Sequence, residues 1–210
     1  LGIIAELPAR SGDRPDETGG PSISALGLPA NDASMLTRLL ADIRSGRLPS
    51  FRPLLPLLFH IRGKPVSLQN REPFEIMFRT VMPRVTVMQC GRQVSKSQTE
   101  AILECLLAGM LPYFMNLYIT PLFEMTRRFS KNYMGELIRR SPSFPHLVDR
   151  TCSQNILERT FRNGSSLTYT FAYLDDTRTR GIPAKRICYD EYQHFNERFV
   201  PTINAVLSAD

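Results

Sequence analysis

At 210 residues, with 42% hydrophobic and 22% charged, the chain is long enough for one domain with a sizeable core. Its net charge of +6 and pI near 9.4 lean towards a polyanionic partner. No apolar run approaches the ~20 residues that span a bilayer, and the four cysteines, at 90, 105, 152 and 188, lack metal-ligand spacing and read as free thiols of a reducing compartment. The three histidines are scattered, and none is assigned to catalysis.

Residues 8–31 are dense in Pro, Gly, Ser and charge, a composition that reads as an extended arm. A short helix is predicted next, capped by Asn31 or Asp32 and ended near Gly46. Met35, Leu36, Leu39, Leu40 and Ile43 form its apolar stripe. Prolines at 49, 53 and 56 make an extended connector, followed by Gly63–Gln69 and a helical segment with Pro73, Phe74, Ile76, Met77 and Phe78. The amide of Gln69 can read both edges of an adenine, or it is simply a polar residue opening that helix.

An apolar strand, Val85–Met88, then leads into Gly91–Arg92–Gln93–Val94–Ser95–Lys96–Ser97 and a helical pattern from Gln98. Strand, tight loop and helix form the context in which backbone N–H groups and the helix dipole gather an anion. Lys96 is placed to reach the β- and γ-phosphates of a nucleotide, and the hydroxyl of Ser97 to ligate Mg²⁺. The usual pattern has glycine where this chain has Cys90 and Ser95. Pro112 stops the helix, and Phe114–Thr120 reads as a strand. A basic helix over roughly Leu122–Arg140 carries Arg127, Arg128, Lys131, Arg139 and Arg140, with Phe129, Tyr133 and Leu137 facing the core.

Ile156–Arg162, Asn163–Gly164 and Ser165–Tyr173 read as a hairpin with a type I′ turn, with Leu167, Tyr169, Phe171 and Tyr173 on one face. A polar loop, Asp175–Gly181, precedes the strand Arg186–Tyr189, which ends in Asp190–Glu191. Such a strand is the usual partner of a phosphate loop: Asp190 holds Mg²⁺ through its water shell and Glu191 polarises the attacking water. The alternative role for both carboxylates is to cap the helix expected from Tyr192. Strands alternating with helices imply an α/β fold with a mostly parallel sheet and an antiparallel hairpin.

With both motifs placed, residues 60–205 resemble the ATPase domain of the large terminase subunit, the DNA-packaging motor of tailed bacteriophages and herpesviruses. The resemblance rests on Gly91–Arg–Gln–Val–Ser–Lys–Ser97, with its Arg-Gln pair, on Asn163–Gly–Ser165, on Arg180–Gly181 and on Tyr189–Asp–Glu191. It implies a P-loop ATPase fold of the additional-strand, catalytic-glutamate class over residues 51–210, with residues 1–50 as an arm plus short helix. It implies ATP and Mg²⁺ as ligands, with Gly91 to Ser97 around the phosphates, Ser97 and Asp190 on the metal, and Glu191 catalytic. Arg92 corresponds to a loop arginine that acts in cis on the transferring phosphoryl group, the other reading being a structural ion pair. Gln69 corresponds to the adenine-reading glutamine. Leu117–Pro121 and the basic helix fall where such motors couple to double-stranded DNA, with contact expected at Arg127, Arg128 and Lys131. The implied partners are the portal protein and a small terminase subunit. The motor is expected as a homo-oligomeric ring on the procapsid portal vertex, in the host cytoplasm and away from membranes.

Two further expectations concern the ends of the chain. It starts at Leu1 rather than Met. The family's coupling strand, expected between the phosphate-loop strand and the Asp-Glu strand, and its C-terminal nuclease domain do not follow the helix that ends near Ala209. The chain is therefore expected to be a piece of a longer protein, with a gap in its sheet. The alternatives are another P-loop DNA helicase or translocase, or a non-catalytic nucleotide-binding assembly module, for which Cys90 and Ser95 argue.

Overall fold

The two segments that carry the chemistry end on one side of a six-stranded sheet. The computed structural model describes residues 2–5 (backbone), 27–91, 94–144, 155–172, 179 and 181–207. The strands are β1 (Gly2–Ala5), β4 (Val85–Val87), β5 (Met115–Thr120), β6 (Glu158–Thr160), β7 (Ser166–Phe171) and β8 (Arg186–Tyr189), in the order β4-β1-β8-β5-β7-β6. A separate antiparallel hairpin joins β2 (His60–Ile61) to β3 (Lys64–Pro65), and the stretch before it, expected as an extended connector, is a 3₁₀ turn (Arg52–Leu54) and the short helix α2 (Leu55–Leu58). β5 is parallel to both β7 and β8, and β6 is antiparallel to β7. β1 is antiparallel to β4 and to β8. The fold is thus mixed α/β with a mixed sheet, rather than the mostly parallel sheet read from the sequence.

β1 also answers the expected gap. The slot between β4 and β8 is filled by Gly2–Ala5, with Ile3 opposite Thr86 on one side and Cys188 on the other. A strand in that position gives the facing backbone groups of β4 and β8 their partners, without which they would be costly in the interior. Residues 6–26, most of the proposed arm, lie outside the described residues.

β5 and β8 are buried on both faces, with Asn116 and Arg186 among their buried residues. Alternation divides their residues between two cores. Leu117, Ile119, Ile187 and Tyr189 face one core with Phe195 and Ile203. Tyr118 and Cys188 face the other, with Leu103, Leu106 and Leu107 of α3 (Lys96–Met110). By the same period, Asn116, Arg186 and Asp190 belong to the α3 side.

α3 is buried at every position from Thr99 to Gly109, as a helix packed on several sides must be. The basic helix is one continuous run of three parts: α4 (Phe123–Arg128), a π-helical turn (Phe129–Met134) and α5 (Gly135–Arg140). Phe129 and Leu137 are buried as expected, and Tyr133 is half-buried. The helix α1 (Ala30–Arg44) follows Pro29 at its N-cap rather than Asn31 or Asp32. Leu36 and Leu40 are buried, whereas Met35 is exposed. Past β8 the expected single helix is two short 3₁₀ turns and α6 (Val200–Asn204).

The hairpin turn is a correction. Gly164 has φ +79°, but Asn163 does not share its positive φ, so this is not a type I′ turn. Gly164 N–H donates to Phe161 O, and Phe161 N–H to Ser165 O, the pattern of a type I turn closed by a glycine bulge. Asn163 is held by another task. Its Nδ2 donates to Ala108 O at 2.8 Å and to Leu111 O at 3.1 Å, capping the C-terminal carbonyls of α3.

Candidate functional site

The loop before α3 is built on backbone freedom. Gly91 has open space where a Cβ would lie, so an incoming group can approach its backbone closely. Ser95, the N-cap of α3, sits in the left-handed region with φ +67° and ψ 21°, and its side chain makes no capping bond. The first-turn N–H groups of α3 are therefore left without a side-chain acceptor, as an anion site requires. Arg92 and Gln93, and with them the test of a cis-acting arginine, lie outside the described residues, as do Cys152, Tyr173 and Arg180.

A serine at φ +67° carries about 1 kcal/mol of backbone strain that glycine does not. For the nucleotide expected from the sequence, Ser95→Gly should leave affinity unchanged or tighten it by up to ~1 kcal/mol. Nucleotide titration into both proteins checks this. A tenfold or greater loss would mean that the hydroxyl itself binds phosphate.

Lys96 opens α3, and its ammonium meets the end of β8. Nζ lies 2.8 Å from Asp190 Oδ1 and 3.1 Å from Glu191 Oε1. Partial burial works against the charge on Lys96, but the bonds to Asp190 and then Glu191 outweigh it and hold its pKa above the usual ammonium value. Burial would raise the pKa of Glu191, yet Lys96 and Gln193 together depress it, so this carboxylate is ionised at neutral pH. Gln193 Nε2 donates to Glu191 Oε2 at 2.6 Å. Glu191 has φ 58°, a left-handed turn that breaks the strand and swings its side chain back to Lys96. Neither acidic residue caps a helix through its side chain: Glu191 is the N-cap of a 3₁₀ turn but makes no side-chain capping bond.

Asp190 is the more enclosed of the two, and its other oxygen, Oδ2, accepts a 2.6 Å bond from Tyr118 Oη. Burial, then the charge of Asp190, pushes the Tyr118 pKa far up, so the phenol remains a donor. Lys96, Ser97, Glu100, Tyr118 and Asp190 line one small cleft with Met77, Met88 and Cys188. The cleft itself is apolar-lined and far too small for a nucleotide. Beside it, an ammonium, a hydroxyl and a carboxylate, with Glu191 on the same ammonium and an uncapped helix start, are residue types that can hold a magnesium-bound polyphosphate. The residues fit that ligand: Lys96 and the α3 N–H groups for phosphate, Ser97 and Asp190 for the metal.

Of the residues expected at the site, Lys96, Ser97, Asp190 and Glu191 are brought together. Gln69 is exposed in the loop after β3, where its N–H donates to Ser67 Oγ. Arg127, Arg128 and Lys131 lie on the exposed side of the basic helix, Arg127 paired with Glu124 at 3.2 Å. Tyr118 escaped the sequence reading, which treated Leu117–Pro121 as one coupling segment. The signal was a lone tyrosine in a strand whose alternation puts it on the same face as Asp190. No helix among the described residues is long and apolar enough to cross a membrane. No protein-family model matches this chain, and no curated protein matches it.

Proposed function

We propose that the chain is the P-loop ATPase domain of a DNA-packaging motor of the large-terminase type. The observation that carries the reading is the meeting of Lys96 with Asp190 and Glu191, from two segments far apart in sequence. Bound magnesium neutralises phosphate charge and polarises the reacting phosphoryl group. The chain's own residues do the rest. Lys96 exchanges its carboxylate partners for phosphate oxygens, and the N–H groups of the 91–97 loop wrap the polyphosphate. Glu191 orients a water and accepts its proton as that oxygen bonds to the γ-phosphorus and the ADP oxygen departs, leaving ADP and inorganic phosphate.

The same reading assigns the basic helix to double-stranded DNA and the assembly to a homo-oligomeric ring with portal protein and small terminase subunit. Support within this chain is the row of exposed cations at Arg127, Arg128 and Lys131. The surface ion pair between Arg127 and Glu124 is weak enough for a polyanion to displace. Duplex DNA should raise ATP hydrolysis whatever its sequence, because phosphates are gripped rather than base edges. Affinity is expected to fall linearly with salt on logarithmic axes. Reversing the charge at these three positions should flatten that slope by roughly 1 for each phosphate no longer neutralised. A salt-independent affinity, or one confined to a single base sequence, would refute the assignment.

A further inference from the structure

We propose that Tyr118 is the positioning residue for Asp190: its hydroxyl holds Oδ2 so that Oδ1 alone is presented towards Lys96 and the metal's water shell. The inference rests on the function proposed above and adds a residue to its machinery. Tyr118 Oη donates to Asp190 Oδ2 at 2.6 Å, while Asp190 Oδ1 takes Lys96 at 2.8 Å and the N–H of Glu191 at 3.1 Å. The two oxygens thus have separate duties. A carboxylate on a short loop after a strand is otherwise free to rotate about its Cβ–Cγ bond, because such terminal torsions are broad.

The phenol can do this only because its ring cannot move. Tyr118 is 1% exposed and sits on β5, paired on both sides by β7 and β8. Its register partner on β8 is Cys188, which puts Asp190 two residues further along on the same face. The ring is stacked on Phe129, with centroids 3.8 Å apart and planes 12° from parallel, and meets Tyr169 edge-on at 6.1 Å. Phe129 opens the π-helical turn of the basic helix. Such turns are wider than α-helix and recur at functional sites. Outer partners of metal-binding carboxylates typically change metal affinity by 10–100-fold when removed.

The test measures metal binding directly. Mn²⁺ is titrated into the protein saturated with ADP and followed by electron paramagnetic resonance, beside metal-free ADP binding and the Mg²⁺ dependence of ATP hydrolysis. Tyr118→Phe keeps the stacked ring and removes only the hydroxyl. It is expected to weaken Mn²⁺ binding about tenfold or more while leaving metal-free ADP affinity unchanged. Phe129→Leu keeps the hydroxyl but frees the ring, and should give a smaller loss of the same kind. Wild-type Mn²⁺ affinity in Tyr118→Phe would overturn the positioning role and leave the ATPase reading intact. If Tyr118→Phe fails to fold, unaltered Mn²⁺ affinity in Phe129→Leu overturns it instead. Mn²⁺ binding by the wild type that Asp190→Asn does not weaken would sink the ATPase reading and this inference together.

Discussion

Glu191→Gln is expected to bind ATP and to lose turnover by on the order of 10²–10⁴, the usual cost of removing a positioned proton acceptor. The amide keeps the size of the side chain and can still face Lys96, which lies 3.1 Å from Oε1. What it cannot do is accept a proton from water. Lys96 and Gln193 depress the basicity of Glu191 in the free protein. In the proposed nucleotide complex Lys96 turns to phosphate, and its part in that depression is expected to be relieved. Lys96→Ala should behave differently and lose nucleotide binding itself. It removes the cation proposed to meet the phosphates, and it takes from Asp190 and Glu191 the ammonium that they share. Single-turnover hydrolysis beside equilibrium nucleotide binding separates the two variants. Normal turnover by Glu191→Gln would end the assignment of the catalytic carboxylate.

The candidate site was legible where its sequence pattern is local. Lys96 and Ser97 follow from a loop between a strand and a helix, and Asp190–Glu191 from an apolar strand with an acidic end. Each is a short-range pattern, and the fold had only to bring the two together. Tyr118 was hidden because β5 is buried on both faces, so its lone tyrosine reads as one more core residue until the register with β8 sets it beside Asp190. Asn163 was misread because the Asn-Gly pair favours a type I′ turn, whereas the uncapped carbonyls of α3 compete for its side chain and win. The strand Gly2–Ala5 was not found because four residues carry too little pattern, and its place is set by the open slot between β4 and β8. Packing overrode propensity at the start of α1, where Pro29 precedes the helix and Leu36 and Leu40 fix its rotation on the core.

Arg186→Met is expected to cost about 3–5 kcal/mol of stability, the scale for breaking a buried ion pair from one side. Arg186 is fully buried on β8, and its Nη1 lies 2.7 Å from Glu100 Oε1 on α3. The same nitrogen donates to Asn116 Oδ1 at 2.8 Å, and Asn116 Nδ2 donates to Glu104 Oε1 at 2.9 Å. Burial, then the neighbouring Glu100, pushes the pKa of Glu104 well up. Arg186 thus faces Glu100 directly and reaches Glu104 through Asn116. Glu100, Glu104 and Cys188 point ligand atoms at one another within 4.8 Å, but the guanidinium already supplies the positive charge there. Removing it leaves Glu100 in the core without its cation, one helical turn beyond Lys96. The double variant Glu100→Gln with Arg186→Met removes both charges and should recover most of the loss, because matched removal of a buried pair is often close to neutral. Denaturant unfolding of the single and double variants measures the coupling. Equal losses in Arg186→Met and in the double variant would show that the ion pair contributes nothing and that Arg186 matters only for the volume it fills.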